Sequence, residues 1–331
     1  MRLLRRFQAT TFSRDTVKMD PEKIKGVKTT LRIVIFRHTP IGDTVIAFPI
    51  LRELRRKYRD DYITFIGNPA VVPLALAWGL ADEAYEADAS LLNELYADEG
   101  IHTPEWLNLF QQTDLAISLQ RNRTDELIRN LHKAGAKEVI AANEFRSENT
   151  SQHTMERLAE SIGIHNLDVN HVAAFTMTDT DNEFNFSNPP IAIHAGRGKH
   201  DGRCWRAASY ATLITRLVHL QQSVILIAGP ADMEQLRDVL KHLPSSLQPG
   251  MVSVMKNAPI VKVAQVITQS RCYLGSDSGM THLAALTGVP CIAIFGPSYP
   301  MPPLGPRVEL VKDPIGRLSV DRVLASILKY I

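Results

Sequence analysis

The sequence has few cysteines and no long apolar segment. Its three cysteines, Cys204, Cys272 and Cys291, are widely spaced among 331 residues and form no Cys-x-x-Cys pair. This spacing indicates neither a disulfide framework nor a zinc knuckle, so we expect reduced side chains in the core. The longest apolar runs, such as the one at residues 71–78, fall far below the roughly 18 residues that cross a bilayer. We therefore expect no transmembrane helix.

The first 30 residues also lack the apolar core of roughly 7–15 residues that a secretory signal needs, which predicts a cytoplasmic protein. Residues 1–30 carry eight Lys/Arg against three acidic residues and form a basic extension. Leu3, Leu4 and Phe7 fall at helical spacing among arginines, which predicts a short amphipathic helix lying peripherally on the anionic inner face of the cytoplasmic membrane. A loose terminal extension is the alternative.

The rest of the chain shows no excess of one charge. The whole chain carries a net charge of +2, so the residues after the basic extension are slightly acidic. This balance argues against a nucleic-acid partner. A second basic cluster at residues 52–59 ends a predicted helix, where cations are favourably placed by the helix dipole. The same cluster could instead help to hold the protein near an anionic surface.

Short apolar runs alternate with helical stretches from residue 31 onward, which is typical of parallel sheets covered by helices. Between residues 175 and 190 this pattern lapses into polar residues and prolines before it restarts. We therefore predict two doubly wound, Rossmann-like domains over residues 31–178 and 191–331, joined by a linker at 179–190. Ligands of such sheets bind beyond the carboxyl ends of the strands, so function is expected in the loops there, in a cleft between the domains.

The individual elements follow from the same pattern. Predicted strands in the first half cover residues 31–36, 62–66, 115–119 and 137–141, with helices at 44–58 and 152–161. Predicted strands in the second half cover residues 191–194, 224–228, 252–255, 272–275 and 291–295, with helices at 209–220, 233–242, 260–269, 279–287 and 320–330.

A first candidate loop, at residues 37–43, joins the first strand to the first helix. Asp43 can cap a helix that begins at Thr44, and Gly42 permits the turn. A carboxylate at a strand end can instead accept a proton from a substrate hydroxyl. The local sequence leaves both interpretations open.

A second candidate loop, at residues 193–205, contains the spacing Gly-x-Gly-x-x-x-Gly. A dinucleotide fingerprint would start its helix inside the glycines and place an acid at the end of the next strand, and neither feature is present. The cations Arg197, Lys199 and Arg203 on a glycine-rich backbone suit a phosphate clamp. A solvated surface loop is the alternative.

A third candidate loop, at residues 274–282, leads from a strand end into a helix. Small residues at a helix N-terminus leave backbone N–H groups open to an anion, and His282 can add a donor. Asp277 can cap the helix or accept hydrogen bonds from sugar hydroxyls.

Asp179 and Asp181 spell the Asp-x-Asp by which metal-dependent sugar transferases hold a divalent cation. The pair falls in the polar linker rather than directly after a strand. We therefore expect no metal site there.

Taken together, these loops resemble the ADP-heptose:lipopolysaccharide heptosyltransferase family, glycosyltransferase family 9. The most specific match begins at Asp277 and reads Asp-Ser-Gly-Met-Thr-His-Leu-Ala-Ala. It continues through Gly-Val-Pro at 288–290 and Phe-Gly-Pro-Ser-Tyr-Pro at 295–300. Residues 33–55, with Gly-Asp at 42–43, resemble the first strand, turn and helix of the family. The resemblance covers most of residues 31–312.

The resemblance implies the α/β fold class GT-B, with two Rossmann-like domains facing across a cleft. The N-terminal domain would bind the acceptor and the C-terminal domain the nucleotide sugar. The implied reaction is an inverting, metal-independent transfer of a heptose from ADP-heptose to a lipopolysaccharide core or related lipid-anchored saccharide, without a cofactor. A nucleotide-sugar epimerase or hydrolase of the same fold, or a sugar-nucleotide-binding protein without catalysis, is the alternative.

The resemblance also assigns roles to residues. Asp43 matches the catalytic base, and the acceptor side of the site comprises Arg37, His38 and Gly42. The expected donor-binding residues are Arg197, Lys199, Arg203, Asp277, Ser278, Gly279, Met280 and His282. The chain departs from the family in the clamp, where Arg203 and Arg206 flank Trp205 in place of a Lys and a Pro. Arginine keeps the charge but presents it as a planar fork.

Overall fold

The computed structural model describes residues 30–120, 125–142, 153–165, 167–169, 171–178, 184, 186–196, 205–295 and 302–331, with the backbone of 3–5. The chain packs into two compact units. The first contains Met1–His38 and Arg52–Asn143, and the second contains Thr39–Leu51 and Glu144–Ile331. The second unit thus takes a segment from the first half of the chain and begins before the linker expected at 179–190.

The first unit is built on a six-stranded sheet. Its strands, in chain order, are β1 (Leu3–Arg5), β2 (Arg32–Arg37), β3 (Tyr62–Gly67), β4 (Glu83–Glu86), β5 (Leu115–Ser118) and β6 (Glu138–Ala141). Their order across the sheet is β1-β4-β3-β2-β5-β6, and all pairs are parallel except β1 with β4. Strand β2 buries Ile33, Val34, Ile35 and Phe36, so both of its faces are covered, as a parallel sheet requires.

In the described residues up to 142, the helices are α1 (Ile41–Val45), α2 (Phe48–Lys57), α3 (Val72–Ala77), α4 (Ala89–Glu94), α5 (Pro104–Gln111) and α6 (Asp125–Lys133). The single helix predicted at residues 44–58 is wrong, because two helices meet at a turn there. Pro49 has no N–H to donate to the carbonyl of Val45, and its ring would clash with that carbonyl in a continuous helix. Helix α1 accordingly ends at Val45.

The amphipathic helix predicted for the basic N-terminus is also wrong at residues 3–5, which form strand β1. Leu3, Leu4 and Arg5 pair in antiparallel register with β4. The edge of a sheet offers unpaired backbone N–H and C=O groups, and these favour addition of an extended segment. Within the described residues, no helix is both long and apolar enough to cross a membrane.

The basic cluster at residues 52–59 is partly neutralised by acidic neighbours. Arg55 donates to the carboxylate of Asp82 at 2.5 Å, and Arg56 pairs with Glu53 at 3.2 Å. The pKa of Arg52 is lowered, and burial is the largest cause of this shift. The cluster therefore offers less free charge than its composition predicts.

The second unit is built on a parallel sheet. Its strands are β7 (Ile191–His194), β8 (Val224–Ala228), β9 (Val252–Lys256), β10 (Cys272–Ser276), β11 (Cys291–Ile294) and β12 (Val308–Val311). The helices that follow α6 are α7 (Thr154–Glu160), α8 (Ala207–His219), α9 (Met233–His242), α10 (Ile260–Thr268), α11 (Gly279–Thr287) and α12 (Val320–Ile327). The strand order is β12-β11-β10-β7-β8-β9, the doubly wound order.

Residues ahead of the expected linker belong to this second unit. The N–H of Phe175 donates to the carbonyl of Leu286 at 2.8 Å. Gly288, at the end of α11, has a φ of 78°, and a Cβ there would lie 2.6 Å from the Cβ of Ala174. A glycine at this position thus permits both the left-handed helix end and the close approach of the chain.

Two of the three cysteines lie in this core. Cys272 and Cys291 are free and fully buried, as the sequence predicts, whereas Cys204 lies outside the described residues. Burial raises the pKa of the Cys272 thiol to about 12 and raises that of Cys291 as well. Both thiols are therefore uncharged core side chains.

Candidate active site

The centre of the second sheet is the place where a doubly wound fold binds its ligands. Strands β7 and β10 are neighbours, and the chain continues from them toward opposite edges of the sheet. The loops that leave these two strands therefore diverge and open a crevice at the carboxyl edge. His194 ends β7 and Ser276 ends β10, and both side chains are buried.

Helix α11 begins directly after β10 and directs its N-terminus to this edge. The N–H groups of Thr281 and His282 donate to the carbonyl of Ser278. Those of Gly279 and Met280 precede them in the first turn, where a helix has no internal acceptor to offer. This end of the helix can therefore receive an anion.

Helix α1 packs on the first turn of α11 through two glycines. A Cβ on Gly279 would lie 2.8 Å from the backbone nitrogen of Gly42, and a Cβ on Gly42 would lie 3.1 Å from the Cα of Gly279. The same added Cβ on Gly42 would lie 3.3 Å from the imidazole of His282. The structure thus brings together Gly42, which the sequence analysis assigned to the acceptor side, and Gly279 and His282, which it assigned to the donor side.

Asp43 lies next to this glycine contact, in the first turn of α1. Its side chain is half-buried. The helix begins at Ile41 with Pro40 as its N-cap residue, so of the two interpretations of Asp43 the N-cap is wrong. Asp43 is thus a half-buried carboxylate on the helix that contacts the first turn of α11, and a carboxylate of this kind can accept a proton.

His282 is buried on α11, and its pKa is lower than that of an ordinary histidine. Burial, with a smaller contribution from His153, lowers the pKa of the imidazole to about 4. Its Nδ1 has no hydrogen-bond partner among the described residues, and its ring meets the edge of Phe295 at 6.1 Å between centroids. At neutral pH this histidine is uncharged, so it can donate one hydrogen bond to an anion but brings no positive charge.

Three polar side chains form a chain of contacts beneath the helix N-terminus. His194 Nε2 lies 3.1 Å from Oδ2 of Asp232, and its Nδ1 lies 3.3 Å from Oγ of Ser278. The sequence predicted Ser278 but assigned no role to His194 or Asp232. A histidine as the last residue of a buried parallel strand could have indicated the first, whereas Asp232 lies in a turn after β8 that carries no local signal.

The remaining expected donor-binding groups are only partly described. Arg197, Lys199 and Arg203 lie outside the described residues, as do Asp179 and Asp181. The loop that carries the three cations ends at Trp205, which is buried and donates its indole N–H to the carbonyl of Leu318 at 3.0 Å. Asp277 is half-buried between β10 and α11. Trp205 thus anchors the C-terminal end of the loop.

The expected acceptor-side residues separate into two groups. Arg37 is fully buried at the end of β2 and donates to the carbonyl of Leu119, next to the end of β5. That bond links two strand ends of the first sheet. His38 follows it and is partly exposed, whereas Gly42 belongs to the contact with α11.

Comparisons with known proteins identify the class of protein to which this chain belongs. The sequence model of the family described as "Glycosyltransferase family 9 (heptosyltransferase)" matches residues 134–321. A solved structure titled "Structure of E. coli ADP-heptose lps heptosyltransferase II" is similar with a TM-score of 0.72 and 16% identity, over 91% of this chain and 98% of that chain. This likeness confirms the predicted GT-B fold class with two Rossmann-like sheets.

Curated relatives agree with the family model. "Lipooligosaccharide heptosyltransferase 2" of Campylobacter jejuni is 22% identical over 80% of this chain and 81% of the relative. "Lipopolysaccharide heptosyltransferase 2" of Escherichia coli K12 is 26% identical over 40% of this chain, and the match spans 39% of that relative's length. The chain belongs to glycosyltransferase family 9.

Proposed function

We propose that the protein transfers a sugar, a heptose, from a nucleoside-diphosphate donor to a saccharide acceptor with inversion at the anomeric carbon. ADP-heptose is the proposed donor and a lipopolysaccharide core, or a related lipid-anchored saccharide, the proposed acceptor. The observation that carries the proposal is the packing of α1 on α11 through Gly42 and Gly279. It unites the candidate base and the candidate diphosphate site in one compact unit.

The chemistry assigns a role to each side of this contact. As the acceptor oxygen bonds to the anomeric carbon, Asp43 accepts the hydroxyl proton and the bond from that carbon to the diphosphate breaks. Negative charge develops on the departing diphosphate. The N–H groups of Gly279 and Met280, the helix dipole and the neutral His282 are arranged to stabilise that charge.

Cations complete the proposed donor site. Arg197, Lys199 and Arg203 follow β7 in the sequence and would neutralise the diphosphate, with Asp277 accepting hydrogen bonds from sugar hydroxyls. In this proposal the protein's own donors and cations balance the leaving-group charge, so transfer needs no divalent metal. Peripheral contact of the basic N-terminal residues with an anionic membrane would place a cytoplasmic enzyme near a lipid-anchored acceptor.

The test is replacement of the proposed base. Asp43→Asn keeps the size of the side chain but removes its basicity, so turnover should fall by roughly 10²-fold or more while affinity for ADP stays unchanged. Transfer is measured with ADP-heptose and a lipid A core acceptor in the presence of EDTA, with GDP- and UDP-sugars as comparison donors. Asp98→Asn, on an exposed aspartate, is the matched control.

Three outcomes would contradict the proposal. Donor turnover that does not require the acceptor would indicate a hydrolase or epimerase. ADP binding without any turnover would indicate a binding protein. Loss of all transfer in EDTA, with recovery on adding Mg²⁺ or Mn²⁺, would overturn the metal-free mechanism and return attention to Asp179 and Asp181.

A further inference from the structure

The contact between His194 and Ser278 needs one hydrogen, which either the imidazole or the serine hydroxyl supplies. The side chain of His194 is 3% exposed, so both of its ring nitrogens depend on protein partners. Asp232 Oδ2 accepts a hydrogen bond from the backbone N–H of Gly229 at 2.9 Å and lies 3.1 Å from His194 Nε2. Because a carboxylate only accepts, Nε2 carries the hydrogen and Nδ1 presents a lone pair to Ser278.

This tautomer determines where the hydroxyl hydrogen of Ser278 points. Thr281, 3.4 Å from Ser278, already donates its own hydroxyl hydrogen to the carbonyl of Ser276 at 2.5 Å. Thr281 therefore gives no hydrogen to Ser278, although its oxygen stays open as an acceptor. Ser278 donates to the nearer and more basic of its two acceptors, His194 Nδ1 at 3.3 Å. A serine hydroxyl has one hydrogen, so in this state Ser278 has none left for an anion at the helix N-terminus.

An anion that accepts the Ser278 hydrogen would leave the buried Nδ1 lone pair facing oxygen lone pairs. A proton added at Nδ1 removes this conflict, because His194 then donates to Ser278 and to Asp232 at once. The same hydrogen bonds form if the proton is on Asp232 and the histidine adopts its other tautomer. The number of protons taken up is therefore one in either case. In both cases the pair gains one positive charge.

We propose that an anionic group bound at Ser278 draws one proton onto the His194–Asp232 pair, which makes these two residues positioning residues for the donor diphosphate. The inference rests on the proposed function, since it takes the diphosphate as the anion. The added charge arises only when the anion is present, close to the group on which negative charge develops during transfer. The proton comes from solvent, and no covalent bond changes.

The surroundings of the pair restrict which groups can take part. Titratable groups on the neighbouring elements include Tyr210 on α8, Glu234 on α9 next to Asp232, Tyr273 and Asp277 on or after β10, and His282 on α11. Among the described residues, Asp232 alone of the titratable groups forms a hydrogen bond or ion pair with His194. A Cβ on Gly196 would lie 2.0 Å from Asp232 Oδ1, so the start of the cationic loop lies directly against this carboxylate.

The test is calorimetric titration of the full-length protein with ADP at pH 8 in two buffers of different ionisation enthalpy. The secondary phosphate pKa is near 6, so ADP itself exchanges little proton at pH 8. We expect net uptake of at most about one proton per ADP, and an ADP affinity that falls by up to about tenfold per unit of rising pH. Ser278→Ala should abolish the uptake and Ser278→Thr should restore it.

A second pair of variants separates charge from shape. Asp232→Asn keeps an oxygen for Gly229 and His194 but removes the negative charge, so proton uptake should fall. Asp238→Asn, on the exposed face of α9, should leave it unchanged. ADP binding without proton uptake in the wild type, or unchanged uptake in Ser278→Ala, overturns the inference alone. Absence of ADP binding in the wild type overturns the proposed function and this inference with it.

Discussion

At the scale of single residues, Gly279 tests whether the contact between α1 and α11 matters for catalysis. In Gly279→Ala the new Cβ would lie 2.8 Å from the backbone nitrogen of Gly42, so α1 must shift. A misplacement of about 1 Å at a reacting group can cost about 10²-fold, and we expect a loss of that order in kcat with the fold retained.

Gly316→Ala is the matched control for this variant. No atom lies within 4 Å of a Cβ added at Gly316, so transfer should be unchanged. Steady-state kinetics and thermal unfolding of both variants check the prediction. Full activity in Gly279→Ala would show that the position of α1 does not limit catalysis.

His282 predicts a pH dependence of stability. Its pKa is about 4 in the folded protein against 6.5 for an ordinary histidine, so the unfolded chain binds more protons between these values. Stability should therefore fall as the pH drops from 6.5 to 4, by roughly 3 kcal/mol from this residue. His282→Gln should lose less stability in urea unfolding between pH 7 and 4, whereas His219→Gln, at an exposed position, should behave as the wild type.

At the scale of elements, Glu94 ties the end of α4 to the start of α5. Burial raises the pKa of this carboxyl, but the opposing hydrogen bonds from Thr103, His102 and Ser90 are stronger together and lower it to about 2. The backbone N–H groups of His102 and Thr103 donate to it at 3.0 and 3.1 Å. Glu94 thus fixes the N-cap residue Thr103 and the residue before it, at the start of a helix whose N-cap side chain makes no cap hydrogen bond.

Glu94→Gln should accordingly destabilise the fold at neutral pH by on the order of 2 kcal/mol. The folded-state pKa is depressed, so the contribution is present above about 4.5 and is lost as the pH falls toward 2. Urea unfolding at pH 7 and at pH 3 checks the window. Glu99→Gln, at a nearby exposed position, is the control, and equal effects of the two variants would contradict the role of Glu94 at the start of α5.

Elements differ in how far the sequence predicts them. Strands β7 and β8 and helices α9 and α11 have the predicted bounds, because buried parallel strands and amphipathic helices leave strong apolar patterns. Strands β4 and β12 and helices α3, α4, α5 and α6 were missed, and all of them have nine residues or fewer. The break at Pro49 was available in the sequence, but apolar periodicity across it favoured one helix.

The candidate site was predictable only where its residues are consecutive. The motif from Asp277 to His282 is one segment, and its helix N-terminus follows from the sequence. The pairing of Gly42 with Gly279 and of His194 with Asp232 depends on how distant segments pack, and periodicity carries no information on that.

At the scale of the whole molecule, the N-terminus combines charge with sheet structure. Deleting residues 1–25 removes seven Lys/Arg and three acidic residues, a net charge of +4, along with strand β1. We expect weaker, salt-sensitive binding to anionic vesicles, at about 1 kcal/mol per basic residue near the surface, with unchanged activity on a soluble, delipidated acceptor. Equal vesicle binding by the two forms at low salt would remove the membrane role.

The course of the chain after β2 has a consequence for recombination with relatives. Residues 39–51 are encoded in the first half of the gene but fold with the second unit. A chimera joined at residues 179–190 would therefore pair the α1 of one parent with the α11 of another. Where the other parent has a side chain at either glycine of this contact, the hybrid would inherit a clash, so exchange of donor specificity between relatives must carry residues 39–51 together with the C-terminal half.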